Sequence, residues 1–167
     1  MTTWPADPVL DRAALRRLYG CFPSGVVAVC AQGPDGPVGL AASSFTSVSI
    51  DPPLVSFCIQ DTSTTWPKLA DLPRLGVSVL GSAHSAACLQ LSRKEGDRFA
   101  GLATTTTADG AVFVDGSPAQ LDCSVEQLVP AGDHRIVLLR VHAARALPEG
   151  EPLVFHASAF RELVRVA

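Results

Sequence analysis

Ala14, Leu15, Leu18 and Tyr19 recur at the spacing of an α-helix, with Asp11 before them as a cap and Gly20 after them as a stop. Phe22-Pro23-Ser24-Gly25 breaks that period. Val26 to Ala31 is a continuous run of β-branched or small residues, as in a buried strand, and Gly33-Pro34-Asp35-Gly36-Pro37 is a strong turn signal. The turn predicts Val38 to Ser44 as the hairpin partner of that strand. Beyond Pro52-Pro53, Leu54 to Ile59 reads as a third strand, Trp66-Pro67 opens a short helix reaching Leu72, and Leu75 to Leu80 is another buried strand. Ser82 is placed to cap a helix running to about Leu91.

The second half is more clearly β. Thr104 to Thr107 with Asp109-Gly110 predicts an exposed hairpin. Leu121, Cys123 and Val125 alternate with polar residues, and Val137, Leu139 and Val141 do so after a turn at Pro130-Ala131-Gly132-Asp133. A strand near Leu153 to His156 and a closing element around Phe160 complete the series. Short strands joined by turns, with two or three helices between them, predict a mainly β protein, an antiparallel barrel with helical insertions, and argue against a doubly wound sheet. Without repeat, linker or low-complexity run, residues 11 to 164 form one expected domain after an extended lead-in over 1 to 10 that carries Pro5 and Pro8.

Composition narrows the classes of function. Hydrophobic residues make up 47% of the 167 and charged residues 17%, as in a globular protein with a rather apolar surface or a buried interface, which suits a dimer. The net charge of −3, with basic residues scattered, lacks the electrostatic footprint of a nucleic-acid binder. No run approaches the roughly 18 apolar residues of a membrane span, and the start has neither a basic nor an apolar segment, so no membrane association and a cytoplasmic setting are expected. Five widely spaced cysteines without a C-x-x-C suggest neither disulfides nor zinc.

The chemistry concentrates in Gly39 to Ser49, where four serines and a threonine fall within seven residues. Such a stretch offers short neutral hydrogen-bonding groups beside a backbone that a ligand can approach, which suits a flat heteroaromatic cofactor that carries the reaction itself. It also suits the polar face of a half-buried strand entering a turn. The chain lacks G-x-G-x-x-G and G-x-x-x-x-G-K-[ST], and Gly76-Val77-Ser78-Val79-Leu80 lacks the second glycine of a nucleophile elbow. Of four histidines, only His134, after Gly132-Asp133 at a turn, stands where a side chain reaches a cleft.

FPSGVVAV, ASSFTSVSIDPPLV, STTWPKL, GVSVL, GDRFAG, GDH and PLVFH occur in this order over nearly the whole chain. Together they resemble the flavin reductase-like, FMN-binding split-barrel family, the reductase components of two-component flavin-dependent monooxygenases. The resemblance implies a homodimeric split β-barrel with the isoalloxazine against Leu40 to Ser49, held by Leu40, Ala41, Ala42, Ser43, Ser44, Ser47 and Ser49. It places Ser63, Thr64 and Thr65 by the ribityl chain and phosphate, makes Arg98 the phosphate cation with Arg93 and Lys94 behind it, and sets Phe99 either over the cofactor or in the core. The implied reaction is hydride transfer from NADH or NADPH to FMN or FAD, with reduced flavin passed to a monooxygenase partner. His134 matches the histidine set near the nicotinamide, the chain's one catalytic-site side chain, acting to position before acting as an acid. A non-catalytic flavin-binding split-barrel protein is the alternative. A pyridoxamine-phosphate oxidase type would need more basic residues near the serine stretch.

Overall fold

The computed structural model describes residues 10–147 and 150–164. The expected lead-in over 1 to 10 lies, apart from Leu10, outside the described residues. Helix α1 spans Arg12–Gly20, and the Asp11 carboxylate accepts the Ala14 N–H at 2.7 Å, as its position before the helix predicts. After the short strand β1 (Ser24–Gly25), β2 (Val27–Gly33) and β3 (Gly36–Ala42) form the expected hairpin, in register from Val27 opposite Ala42 to Gly33 opposite Gly36. Strands β4 (Thr46–Ser49) and β5 (Leu54–Gln60) follow, then α2 (Trp66–Leu69), one turn shorter than expected, and β6 (Leu75–Val79).

Two expectations are corrected here. Ser82 is no helix cap: Ser82–His84 is a 3₁₀ turn in which the Gly81 N–H donates to His84 Nδ1 at 2.9 Å, and α3 occupies Ser85–Leu91. The hairpin of β7 (Thr104–Thr106) and β8 (Val112–Val114) is exposed on one arm alone, because Val112, Phe113 and Val114 are buried under the main sheet. Two 13-residue strands, β9 (Ala119–Ala131) and β10 (His134–Ala146), make the longest hairpin. Its turn is tighter than the sequence suggests: Pro130 and Ala131 stay in the ladder, and the reversal falls on Gly132 at φ +69° and Asp133. Strands β11 (Val154–His156) and β12 (Ala159–Arg161) close the chain.

Seven strands form one antiparallel sheet in the order β3-β2-β6-β9-β10-β5-β4, while β1, β11 and β12 form a smaller one. Strand β2 is covered on both faces, which explains its unbroken apolar run. Val27, Val29 and Ala31 join one core with Phe57, Leu75, Val77 and Val137; Val26, Ala28 and Cys30 join a second with Leu80, Leu91, Val112 and Val114. The edge strands β3 and β4 are consecutive in the chain, so the sheet curls. Ser44 between them accepts the Cys58 N–H at 2.8 Å and donates to the Cys58 carbonyl at 3.3 Å, fastening the end of β3 across β5. No helix among the described residues is long and apolar enough to cross a membrane.

Candidate functional site

The curl leaves a cleft of about 770 Å³ where the end of β3 faces the end of β5. Leu40, Ala41, Ala42, Ser43 and Ser44 form one wall; Cys58, Ile59 and Gln60 with the loop Thr62–Thr65 form the other. The end of α3 and the loop beyond it contribute Leu91, Ser92, Lys94, Glu95 and Arg98, and His134 stands at the mouth. The volume is that of a small-molecule or cofactor site.

The structure sorts the hydroxyls by what they do. Ser44 is engaged by the β5 backbone, and Ser63 Oγ accepts the Trp66 N–H at 3.1 Å, securing the start of α2. Thr65 is buried, and its Oγ1 accepts from Arg98 Nη1 at 2.7 Å. Ser43 and Thr64 are exposed in the cleft wall. Arg98 Nη1 also donates to the Gly39 carbonyl at 3.1 Å, so one guanidinium ties the loop before α2 to β3 and puts fixed positive charge at one end of the cleft.

His134 opens β10 directly after the Gly132-Asp133 turn. Its Nδ1 donates to Asp133 Oδ1 at 2.6 Å, which leaves Nε2 for a ligand. The His134 hydrogen bond and charge hold the Asp133 carboxyl below the usual range. The turn is held against the β5 side: the Asp61 N–H donates to the Asp133 carbonyl at 3.1 Å, and Arg135 Nε donates to Asp61 Oδ1 at 2.9 Å.

Of the residues singled out in the sequence, the structure therefore brings together Leu40, Ala41, Ala42, Ser43, Ser44, Ser63, Thr64, Thr65, Arg98 and His134. Ser47 and Ser49 fall outside. They lie on β4, opposite Val55 and Leu54, because Phe45 packs into the core and turns the chain away from the cleft. Phe99 does not cover the main cleft; it packs on the second core and borders a smaller adjoining cavity of about 270 Å³. That cavity shares Thr64, Thr65, Lys94, Glu95 and Arg98 with the cleft and adds Pro37, Val38, Gly39 and Lys68. Sequence reasoning missed Cys58, Gln60 and Lys68. Lys68, three residues after Thr65 in a short helix, carried a usable signal.

Among the described residues, no three His, Cys, Asp or Glu side chains gather as a metal site. A neutral wall of small residues, an end where Arg98 and Lys94 stand with Glu95, and a single imidazole suit a protein that binds an anionic, ring-bearing organic cofactor. The chain belongs to the flavin reductase like domain family, whose sequence profile matches residues 19–164. It is 36% identical to a flavin reductase of Pseudomonas putida over 152 residues, 90% of this chain and 89% of that protein. To the reductase subunit HsaB of a flavin-dependent monooxygenase from Rhodococcus jostii it is 32% identical, over 90% of this chain and 77% of that one. The solved NADH:FAD oxidoreductase SgcE6 of Streptomyces globisporus superposes with a TM-score of 0.89 at 35% identity, covering 98% of this chain and 100% of that one.

Proposed function

We propose that this chain is an NAD(P)H-dependent flavin reductase that binds FMN or FAD in the cleft between β3 and β5 and supplies reduced flavin to a separate monooxygenase. The observation that carries the reading is the cleft's chemistry. Its β3 wall, Leu40 to Ser44, presents backbone and neutral short side chains, Arg98 and Lys94 stand at one end, and His134 stands at the mouth. A bound flavin supplies the hydride-accepting ring, so the protein needs no nucleophile of its own. Leu40, Ala41 and Ala42 give the ring a flat face to lie against, and Ser43 offers its rim a hydrogen bond. Thr64 and Arg98 hold the phosphate, with charge-assisted bonds about twice as strong as neutral ones. His134, fixed by Asp133, orients the nicotinamide so that two rings meet at reacting distance, and positioning of this kind lowers a barrier without acid or base.

The curled sheet, sewn by Ser44 to Cys58, supports a split β-barrel, and the exposed Leu18, Tyr19 and Phe22 support a homodimer. Five free thiols and a nucleotide donor suit the cytoplasm. The test is aerobic oxidation of NADH and NADPH by the purified protein with FMN and with FAD. Oxidation well above the rate without protein is expected for at least one pairing. Flavin binding without oxidation in all four would make the chain a flavin carrier instead.

A further inference from the structure

Arg98 belongs to a segment that gives its guanidinium good reason to point elsewhere. Gly96 at φ +86° and Gly101 at φ +71° bound the segment, so the chain is free to turn on either side of the arginine. Glu95 and Asp97 stand three and one residues before it, and a guanidinium is drawn to a carboxylate within about 4 Å even at a wet surface. Lys68, Lys94, Glu95 and Asp97 line the small cavity that Arg98 borders, two charges of each sign, so the local field alone does not aim the side chain. Yet among the described residues Arg98 is in no ion pair. Its Nη1 donates to two neutral acceptors on separate elements, Thr65 Oγ1 at 2.7 Å and the Gly39 carbonyl at 3.1 Å, and its Nε and Nη2 donate to no group among the described residues.

The backbone beneath the side chain explains that posture. Gln90, in the last turn of α3, donates both hydrogens of its amide nitrogen, to the Arg98 carbonyl at 3.1 Å and to the Ala100 carbonyl at 2.8 Å. The Arg98 carbonyl and the Phe99 N–H share one planar peptide unit, and that N–H donates to Asp97 Oδ1 at 2.8 Å, so the plane is held at both edges. The Asp97 bond lies within the loop and travels with it. The Gln90 bonds instead tie the loop to a helix anchored by the buried Ala87, Cys88 and Leu91, while the Phe99 ring packs on the second core. A fixed plane fixes the direction in which the Arg98 side chain leaves the backbone. Resting on the flavin site proposed above, we infer that Gln90 is a positioning residue for flavin binding: it holds the Arg98–Phe99 peptide so that the Nε and Nη2 edge of Arg98 meets the flavin phosphate and does not fold onto Glu95 or Asp97. Two parallel donors on that edge match two phosphate oxygens, a geometry that a loosely held arginine forms only at the expense of its own freedom.

Riboflavin, which has the ring and the ribityl chain but no phosphate, separates positioning from mere support of the loop. Dissociation constants for FMN, FAD and riboflavin, from flavin fluorescence quenching, are to be measured for the natural protein, Arg98→Ala, Gln90→Leu, Gln90→Glu and the double variant Gln90→Leu with Arg98→Ala. Leucine is a good helix former without a donor, whereas glutamate sets a carboxylate against two carbonyl oxygens. The expected result is FMN and FAD weakened about tenfold or more in Arg98→Ala, about threefold in Gln90→Leu and about tenfold in Gln90→Glu, in line with charged and neutral hydrogen bonds. Riboflavin should stay within about twofold throughout, and the double variant should bind within about twofold of Arg98→Ala, because an effect that passes through one residue does not add to that residue's loss. Riboflavin weakened as much as FMN by the Gln90 variants, a double variant that shows the product of the two single losses, or Gln90 variants that leave all three ligands unchanged would each overturn the inference. Arg98→Ala treating riboflavin and FMN alike would overturn it together with the phosphate site. Because binding is read without turnover, absence of nucleotide oxidation would sink the reductase reading and leave this one standing.

Discussion

Asp133 matters through the imidazole it holds. With Nδ1 engaged at 2.6 Å, the His134 ring loses freedom that a nicotinamide would otherwise have to remove on binding. His134→Ala is expected to raise the nicotinamide KM about tenfold, a loss of roughly 1.4 kcal/mol, with a smaller fall in kcat. Asp133→Asn is expected to fall between that variant and the natural enzyme. Unchanged steady-state constants in both would remove the pair from the site. The Asp133 carboxyl is held low by its partner, so the contribution it makes is present above the ordinary carboxyl range and is lost as pH falls through the lowered folded value.

The thiols separate by burial. Cys30 and Cys123 are fully buried, and burial pushes both up to about 12, whereas Cys21 and Cys58 are exposed. A thiol reagent at pH 8 should therefore modify two cysteines quickly, and saturating flavin should protect Cys58 because it lines the cleft. Flavin that leaves both rates untouched would place it elsewhere. In alkali the sign reverses from the Asp133 case. The unfolded chain gives up these thiol protons from about pH 9 and the folded chain only near 12, so the contribution of both groups declines across that interval.

Among the elements, the contact of β6 with β8 is the least forgiving. A Cβ on Gly76 would meet the Val112 carbonyl oxygen at 2.1 Å and its carbonyl carbon at 2.7 Å, both backbone atoms that cannot swing aside. Gly76→Ala should cost about 3 kcal/mol, the upper end of overpacking, and lower Tm by roughly 6–12 °C for a chain of this size. A loss under about 1 °C in calorimetry would mean that β8 is not held where it lies. Elements set by local signals were legible beforehand. Asp11 and Gly20 bounded α1, and the unbroken run at β2 correctly meant a buried strand, which the structure covers on both faces. What was hidden depended on distant partners. The Val112–Val114 arm looks like an exposed hairpin until β6 and the core beneath it are in place, and Ser47 and Ser49 belong to the motif in sequence while pairing with β5 in space. For the site, the contiguous segment Leu40 to Ser44 was readable, but Cys58 and Gln60 reach the cleft only through the curl fastened by Ser44.

For the molecule as a whole, an exposed apolar surface lies at one end of α1. Leu18, Tyr19 and Phe22 are 60%, 68% and 78% exposed. They adjoin the small sheet, since the Gly20 carbonyl accepts the Ala157 N–H and Ser24 pairs with Phe155, itself stacked edge-on against Phe160. Large apolar residues exposed this close together in the chain, on a protein with so low a share of charge, support the proposed association surface, and each side chain of this kind gains about 1.5–3 kcal/mol on full burial. A second copy of the chain is the proposed occupant, in keeping with the proposed homodimer. Light scattering after gel filtration should then give a mass near twice that of one chain. Because the partner binds only the folded state, Tm should climb with protein concentration. Phe22→Asp puts a charge on this surface and should yield a monomer that remains folded by circular dichroism, with Tm no longer dependent on concentration. A dimer that survives this change undiminished would move the interface away from α1, and the natural chain running as a monomer at micromolar concentration would remove it altogether.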